Sequence, residues 1–175
     1  QGRATQALLD TYQPERMPHV REFIQGAIES GKIIQMADPE ALLARTRDMR
    51  ANPKAYAPPN PALGQGGMGN GYGKGGVGRQ VVQPHIAGDL MDEKIGHAFA
   101  ILSTPEFYER NEEACQRLQS LSHLKWIVLP PQDAGLLESY GAPAIVVRPD
   151  RYVHACAQDG RELLAVIDAL PLTLH

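Results

Sequence analysis

Few side chains in this sequence are able to do chemistry, and their spacing decides what each can do. Cys115 and Cys156 lie far apart. Dithiol exchange needs an exposed, low-pKa thiolate with a resolving partner beside it, and no Cys-x-x-Cys pair is present. Without a secretory pattern the two read as reduced thiols buried like small hydrophobes. The six histidines (His19, His85, His97, His123, His154 and His175) show neither His-x-His nor His-Glu-x-x-His spacing, so no metal site is assigned. His97 and His154 are expected to be strand residues with ordinary hydrogen bonds. Ser103, Ser120, Ser122 and Ser139 lack a nucleophile-elbow context. Asp10, Glu15 and Arg16 read as a charged helix end forming a structural ion pair.

Gly-x-Gly-x-x-Gly occurs twice, at Gly64-Gly66-Gly69 and at Gly71-Gly73-Gly76. That motif cradles a pyrophosphate only as a turn between a strand and a helix. Here prolines precede it and further glycines follow, and Lys74 lacks the adjacent Ser or Thr of a phosphate loop. The stretch reads as a linker. The sequence therefore yields no catalytic, cofactor-binding or metal-ligating residue.

The elements that would position a site fall into three parts: residues 1–50, 51–80 and 81–175. The 175 residues carry a net charge of -3, which gives no basic field for nucleic acid. No apolar run is long enough to span a membrane. The opening "QGRATQALLDTYQPERMPHV" lacks both an initiator Met and a signal-peptide pattern, so a piece of a longer, cytoplasmic chain is expected. Residues 1–50 are helical by periodicity. A short stripe at Leu8, Leu9 and Tyr12 precedes a longer one, after Pro14 and Pro18, at Val20, Phe23, Ile24, Ala27, Ile28 and Ile34. Gly31 weakens the end of that helix. Asp38 and Pro39 open a third helix with Leu42, Leu43, Thr46 and Met49 along one face. These helices cannot enclose a core among themselves, so their apolar faces need a larger body or another copy of the chain. Residues 51–78 turn Pro-rich and then Gly-rich, with almost nothing to bury.

The last hundred residues alternate strand and helix. "VVQPHI" reads as an edge or lead-in strand because of Pro84, and "HAFAILS" as a buried strand. Thr104-Pro105-Glu106 caps a helix with Phe107, Tyr108, Asn111, Ala114, Cys115, Leu118 and Leu121 on one face. "KWIVLP" is the next buried strand, and "AGLLESYG" a helical turn closed by Gly141. "AIVVRPD" and "RYVHAC" form a hairpin about Pro149-Asp150, and "RELLAVIDAL" is the final helix. Trp126 and Tyr152 are expected at or near the core. The order βαβ followed by ββα is that of an α/β, thioredoxin-like fold with a mixed sheet. In that fold the residue matching Pro143 is often a cis proline beside the redox cysteines. The corresponding junction here, "ILSTPEFYER", has no cysteine.

"LLDTYQPERMPHV" resembles the helix that closes the FAD-binding region in class A flavoprotein aromatic hydroxylases. Leu9, Asp10, Tyr12, Glu15, Arg16 and Pro18 fall on the family pattern. "VGRQVVQPHI", with "GDLMDEKIGHAFAIL" after it, and "IVVRPDRYVHAC" resemble two later landmarks in the expected order, nearest to the phenol and 3-(3-hydroxyphenyl)propionate hydroxylase branch. The resemblance implies a C-terminal, thioredoxin-like domain without redox cysteines, structural and near subunit contacts. It implies a parent that binds FAD, takes hydride from NAD(P)H and transfers oxygen from O₂ to a phenolic ring. The family's flavin motifs lie upstream of this sequence, so none of its residues is assigned to FAD. The alternatives are a stand-alone thioredoxin-like binding module and a thiol-dependent antioxidant protein.

Overall fold

The computed structural model describes residues 6–56, 60–66 and 75–170. Helix α1 (Gln6–Asp10) leads into α2 (Tyr12–Ile34), and α3 (Pro39–Ala51) follows. Asp38 caps α3 by accepting from Glu40 N, as its place before Pro39 predicts. Helix α2 starts earlier than the sequence suggests, running through Pro14 and Pro18 instead of after them. Pro14 stands in the first turn, where its missing N–H has no partner to lose. Pro18 is a true interior proline. It removes the bond to the Pro14 carbonyl and opens that edge of the helix.

Two short strands, β1 (His85–Ile86) and β2 (Asp89–Leu90), form an antiparallel hairpin apart from the main sheet. Helix α4 (Met91–Ile95), which periodicity does not reveal, follows at once and is closed by Gly96 at φ 60°. The main sheet is built from β3 (Phe99–Ser103), β4 (Leu124–Val128), β5 (Ala144–Val147) and β6 (Val153–Ala157) in the order β4-β3-β5-β6. β3 and β4 are parallel, and the other pairings are antiparallel. The βαβ–ββα order read from the sequence is the observed one. The helix expected after Thr104 breaks at Asn111 into α5 (Pro105–Arg110) and α6 (Glu112–Gln119). Asn111 accepts from Gly160 N at 2.8 Å, so the break ties α6 to the start of α7 (Gly160–Asp168). A 3-10 stretch, Pro131–Tyr140, ends at Gly141 in the left-handed region, φ 63°.

Strand β4, expected to be a buried strand, lies instead at the sheet edge with Lys125 and Val128 exposed, since it pairs on one side only. At its centre the sheet is covered on both faces. One carries Ala100, Leu102, Ile145 and Val147 under Met91, Ile95, Leu129 and Leu137. The other carries Ile101, Val146 and Ala155 under Phe107, Leu118, Leu163 and Ile167. Every residue of β5 is buried, as expected for a strand paired on both sides and covered on both faces.

The Pro/Gly-rich segment departs from expectation at both ends. Leu63 and Val77 are buried at 0 % and 2 % exposure. Leu63 N donates to Gly78 O, Gly78 N to Val153 O and Val81 N to Arg151 O, while Gln80 bridges Tyr152. The chain thus lies along the outer edge of β6 and shields it from pairing with another strand. The remainder of the glycine tract, residues 67–74, lies outside the described residues.

Candidate functional site

Among the described residues, the densest set of charged contacts lies where the first turns of α2 meet the turn between β5 and β6. Arg148 donates from Nη1 to Glu15 at 3.0 Å. It also donates from Nε and Nη2 to the two oxygens of Asp150, each at 3.0 Å. Arg16 reaches the same carboxylate from α2 at 2.8 Å, and its guanidinium sits 5.2 Å from the centre of the Tyr152 ring. The Tyr152 hydroxyl lies 2.9 Å from His19 Nε2. One turn of helix therefore presents Glu15, Arg16 and His19 to Arg148, Asp150 and Tyr152. The ion pair expected at Glu15 and Arg16 is present, but each of the two has its partner at the other end of the chain.

The arrangement rests on the local backbone. Two charges of each sign alternate, so each carboxylate meets an arginine and the planar guanidinium of Arg148 spans both. Glu15 is the one buried residue of α2, at 3 % exposure. A carboxylate so placed requires such a partner. Over the helix edge opened by Pro18 passes the segment 60–66, where Gly64 N donates to Glu15 O at 2.7 Å. A Cβ at Gly64 would run into the Pro14 carbonyl, and one at Gly66, φ +34°, into the Glu15 side chain. Only glycine allows this approach.

His19 is held below its ordinary pKa, first by burial and then by the Arg16 cation. His154, buried in β6, is depressed to about 4, again by burial first and then by Arg148. Its ring meets Phe99 edge-on, 6.3 Å between centres. His97 lies in the turn ahead of β3 instead of in a strand. No group of three or more metal-ligating side chains occurs among the described residues.

The thiols have the environment of inert cysteines. Cys115 is fully buried and burial raises its pKa. Burial pushes Cys156 up to about 11, and its Sγ lies 3.3 Å from Gly75 O. At the junction where redox cysteines would stand, Thr104 N donates to the Pro143 carbonyl at 2.9 Å, and Trp126 donates to the buried Ser103 hydroxyl at 2.9 Å. The peptide bond before Pro143 is trans, so this proline does not take the cis form common in the fold. The glycines described within the two Gly-x-Gly-x-x-Gly matches, Gly64, Gly66 and Gly76, pack against α2 and the Tyr140 ring. These positions offer no cradle for a pyrophosphate, so no flavin step is derived from them.

No protein-family model matches the chain. It is 30 % identical over 184 residues to a probable NADH-specific resorcinol 4-hydroxylase of Rhodococcus jostii, covering 94 % of this chain and 34 % of that protein. It is 29 % identical over 199 residues to the 3-(3-hydroxy-phenyl)propionate/3-hydroxycinnamic acid hydroxylase of Escherichia coli K12, covering 90 % of this chain and 36 % of the relative. The chain thus spans about a third of the length of these curated relatives. Among solved structures, the flavin-dependent monooxygenase PieE in complex with FAD and substrate superposes with a TM-score of 0.63 at 17 % identity, over 95 % of this chain and 40 % of that one. Aklavinone-11 hydroxylase with FAD and aklavinone superposes with a TM-score of 0.57 at 16 % identity, over 96 % and 36 %. The chain is thus similar in sequence to about a third of the length of these aromatic hydroxylases, and its mixed α/β fold matches the C-terminal, thioredoxin-like domain of FAD-dependent hydroxylases.

Proposed function

We propose that this chain is the non-catalytic, structural part of an FAD-dependent monooxygenase that hydroxylates phenolic compounds with NAD(P)H and O₂ in the cytoplasm. In this reading residues 1–50 are an arm reaching toward the flavin-binding and substrate region, 51–80 the connection, and 81–175 the thioredoxin-like body. The flavin would supply the oxygen-transfer chemistry in the other region.

The observation that carries the reading is the contrast between the two ends of α2. Its first turns are pinned by Glu15, Arg16 and His19. Beyond them Val20, Phe23, Ile24 and Ile28 are all about half exposed, and Leu42 and Leu43 of α3 are similarly open. An apolar face of that extent on a firmly anchored helix suits contact with the flavin region. In its absence, the same face would hold a second copy of the chain, giving a homo-oligomer.

The test is the visible spectrum of the purified chain mixed with FAD, before and after desalting. Loss of all flavin absorbance is the expected result. Retained, stoichiometric flavin would overturn the reading by showing a cofactor site within these residues.

A further inference from the structure

The main sheet has two edges, and the chain treats them differently. Along β6 run residues 78–81, with Gly78 N donating to Val153 O and Val81 N to Arg151 O. Beyond β4 no strand lies among the described residues, and β4 pairs with β3 alone. Phe99 N donates to His123 O and Leu129 N to Ser103 O, which fixes the phase of the parallel ladder. Lys125 and Ile127 turn their backbone groups toward β3, while Trp126 and Val128 turn theirs outward. The Leu124 carbonyl also points outward, and its N–H is already bonded to Leu121 O. The backbone groups of Trp126 and Val128 have no hydrogen-bond partner among the described residues. We propose that this edge docks β4 of a second copy of the chain, paired antiparallel about a two-fold axis at Trp126.

The pattern of free groups selects that occupant. With the axis at Trp126, its N–H donates to the Trp126 carbonyl of the other copy. The Val128 N–H donates to the Leu124 carbonyl of that copy, and the symmetry repeats both bonds. All five residues of the strand overlap, and every free donor on the edge finds an acceptor. Lys125 then stands opposite Ile127 and Leu124 opposite Val128, so no like charges face each other directly. Val128 is 38 % exposed, which leaves that end of the edge open to a partner. Because the β6 edge is already covered, pairing closes at two copies instead of growing into a fibre. The site is distinct from the apolar stripe on α2, so it does not depend on what covers that stripe.

The test is amide hydrogen exchange by NMR on the full chain carrying Ile24→Asp, so that the α2 stripe cannot hold copies together. One short strand per copy makes a small interface, so chain concentrations run from about 50 μM to about 1 mM. Protection of the Trp126 and Val128 amides should rise by about threefold or more across that range, following the fraction of paired chain. The Lys125 and Ile127 amides, already bonded to β3, should change less. Val128→Pro should abolish the rise at Trp126, because the ring removes an outward donor and leaves the β3–β4 bonds in place. If that variant fails to fold, Val128→Lys must weaken the rise by setting a charge against Leu124 of the other copy. Trp126 and Val128 amides that exchange at one rate at every concentration would overturn the proposal and leave the edge to a strand of another protein. Concentration-dependent protection that persists in either folded variant would overturn it as well.

Discussion

Arg148 and Glu15 meet at 3.0 Å across 133 positions of sequence, and they join the first anchored helix to the last hairpin. Glu15 belongs to the Tyr-x-x-Glu-Arg segment and Arg148 to Arg-Pro-Asp-Arg-Tyr, two landmarks that the sequence presents as separate. In space they form one junction. Because both side chains are largely out of water, the pair fixes where α2 docks more than it adds net stability.

Removing one partner should therefore cost more than removing both. Arg148→Met takes this cation away from both Glu15 and Asp150, and a loss of about 1–3 kcal/mol is expected. Glu15→Met in the same chain should recover much of that loss, since two apolar side chains then face each other. Urea unfolding of the wild type, both single variants and the double variant gives the coupling directly. Additive losses would show the two residues to be energetically independent.

The glycines separate in the same experiment. Gly64→Ala places a methyl against the Pro14 carbonyl, and Gly66→Ala adds a strained positive φ to a collision with Glu15. Each should destabilise by about 1–3 kcal/mol. A methyl at Gly31, within α2, would meet nothing within 4 Å. Gly31→Ala should instead stabilise by roughly 0.5–1 kcal/mol, the gain from replacing a helical glycine. Equal effects at Gly31 and Gly64 would mean that the close approach over α2 is absent in solution.

Much of the sheet is legible in the sequence because its strands are short apolar runs bounded by Gly and Pro. "AIVVRPD" shows this best, since all of β5 is buried. The start of α2 is hidden because Pro18 reads as a helix boundary, whereas the interior proline exposes backbone that segment 60–66 covers through the bond from Gly64 N to Glu15 O. That contact is non-local, and periodicity carries no trace of it. Helix α4 is equally hidden, because five residues are too few to show a period. At the junction, Glu15 and Arg16 are visible as charges, but nothing in their local sequence points to Arg148 and Asp150. The one available signal is that both segments resemble landmarks of the same family.

Acid should also weaken the folded state as a whole. His154 titrates near 4 in place of the ordinary 6.5 because burial, then Arg148, disfavours its cation. The unfolded chain binds this proton first, so the stability it contributes is present above pH 6.5 and is lost as pH falls toward 4. The loss attributable to His154 is up to about 3 kcal/mol. Urea midpoints measured from pH 7 to pH 4 should decline less steeply in His154→Gln. An identical slope in the variant would remove His154 from the acid response.

Thiol labelling checks the cysteine environments. With its pKa near 11, Cys156 holds far less thiolate at neutral pH than a free cysteine, and Cys115 is fully buried. Alkylation at about pH 7.5 should be on the order of a hundredfold slower than for a free thiol, rising to the free rate in denaturant. Rapid labelling of either residue in the folded chain would restore the thiol-dependent antioxidant alternative.

The apolar face of α2 makes the last prediction the most direct. Ile24 is 55 % exposed at the middle of the stripe formed with Val20, Phe23 and Ile28. Without a flavin region to cover it, two copies should associate through this face, and light scattering should show a mass that rises with concentration. Ile24→Asp would place a carboxylate in that contact from each copy, with no cation yet identified to receive it. Desolvating even one such charge costs several kcal/mol, so dissociation should be favoured by about a hundredfold or more. Because Ile24 is open to solvent in the single chain, unfolding of the monomer should shift by no more than about 0.5 kcal/mol. A weakened assembly with unchanged monomer stability assigns the interface to α2. A clean monomer at every concentration of wild type would remove self-association, and an assembly that Ile24→Asp leaves intact would place the interface elsewhere.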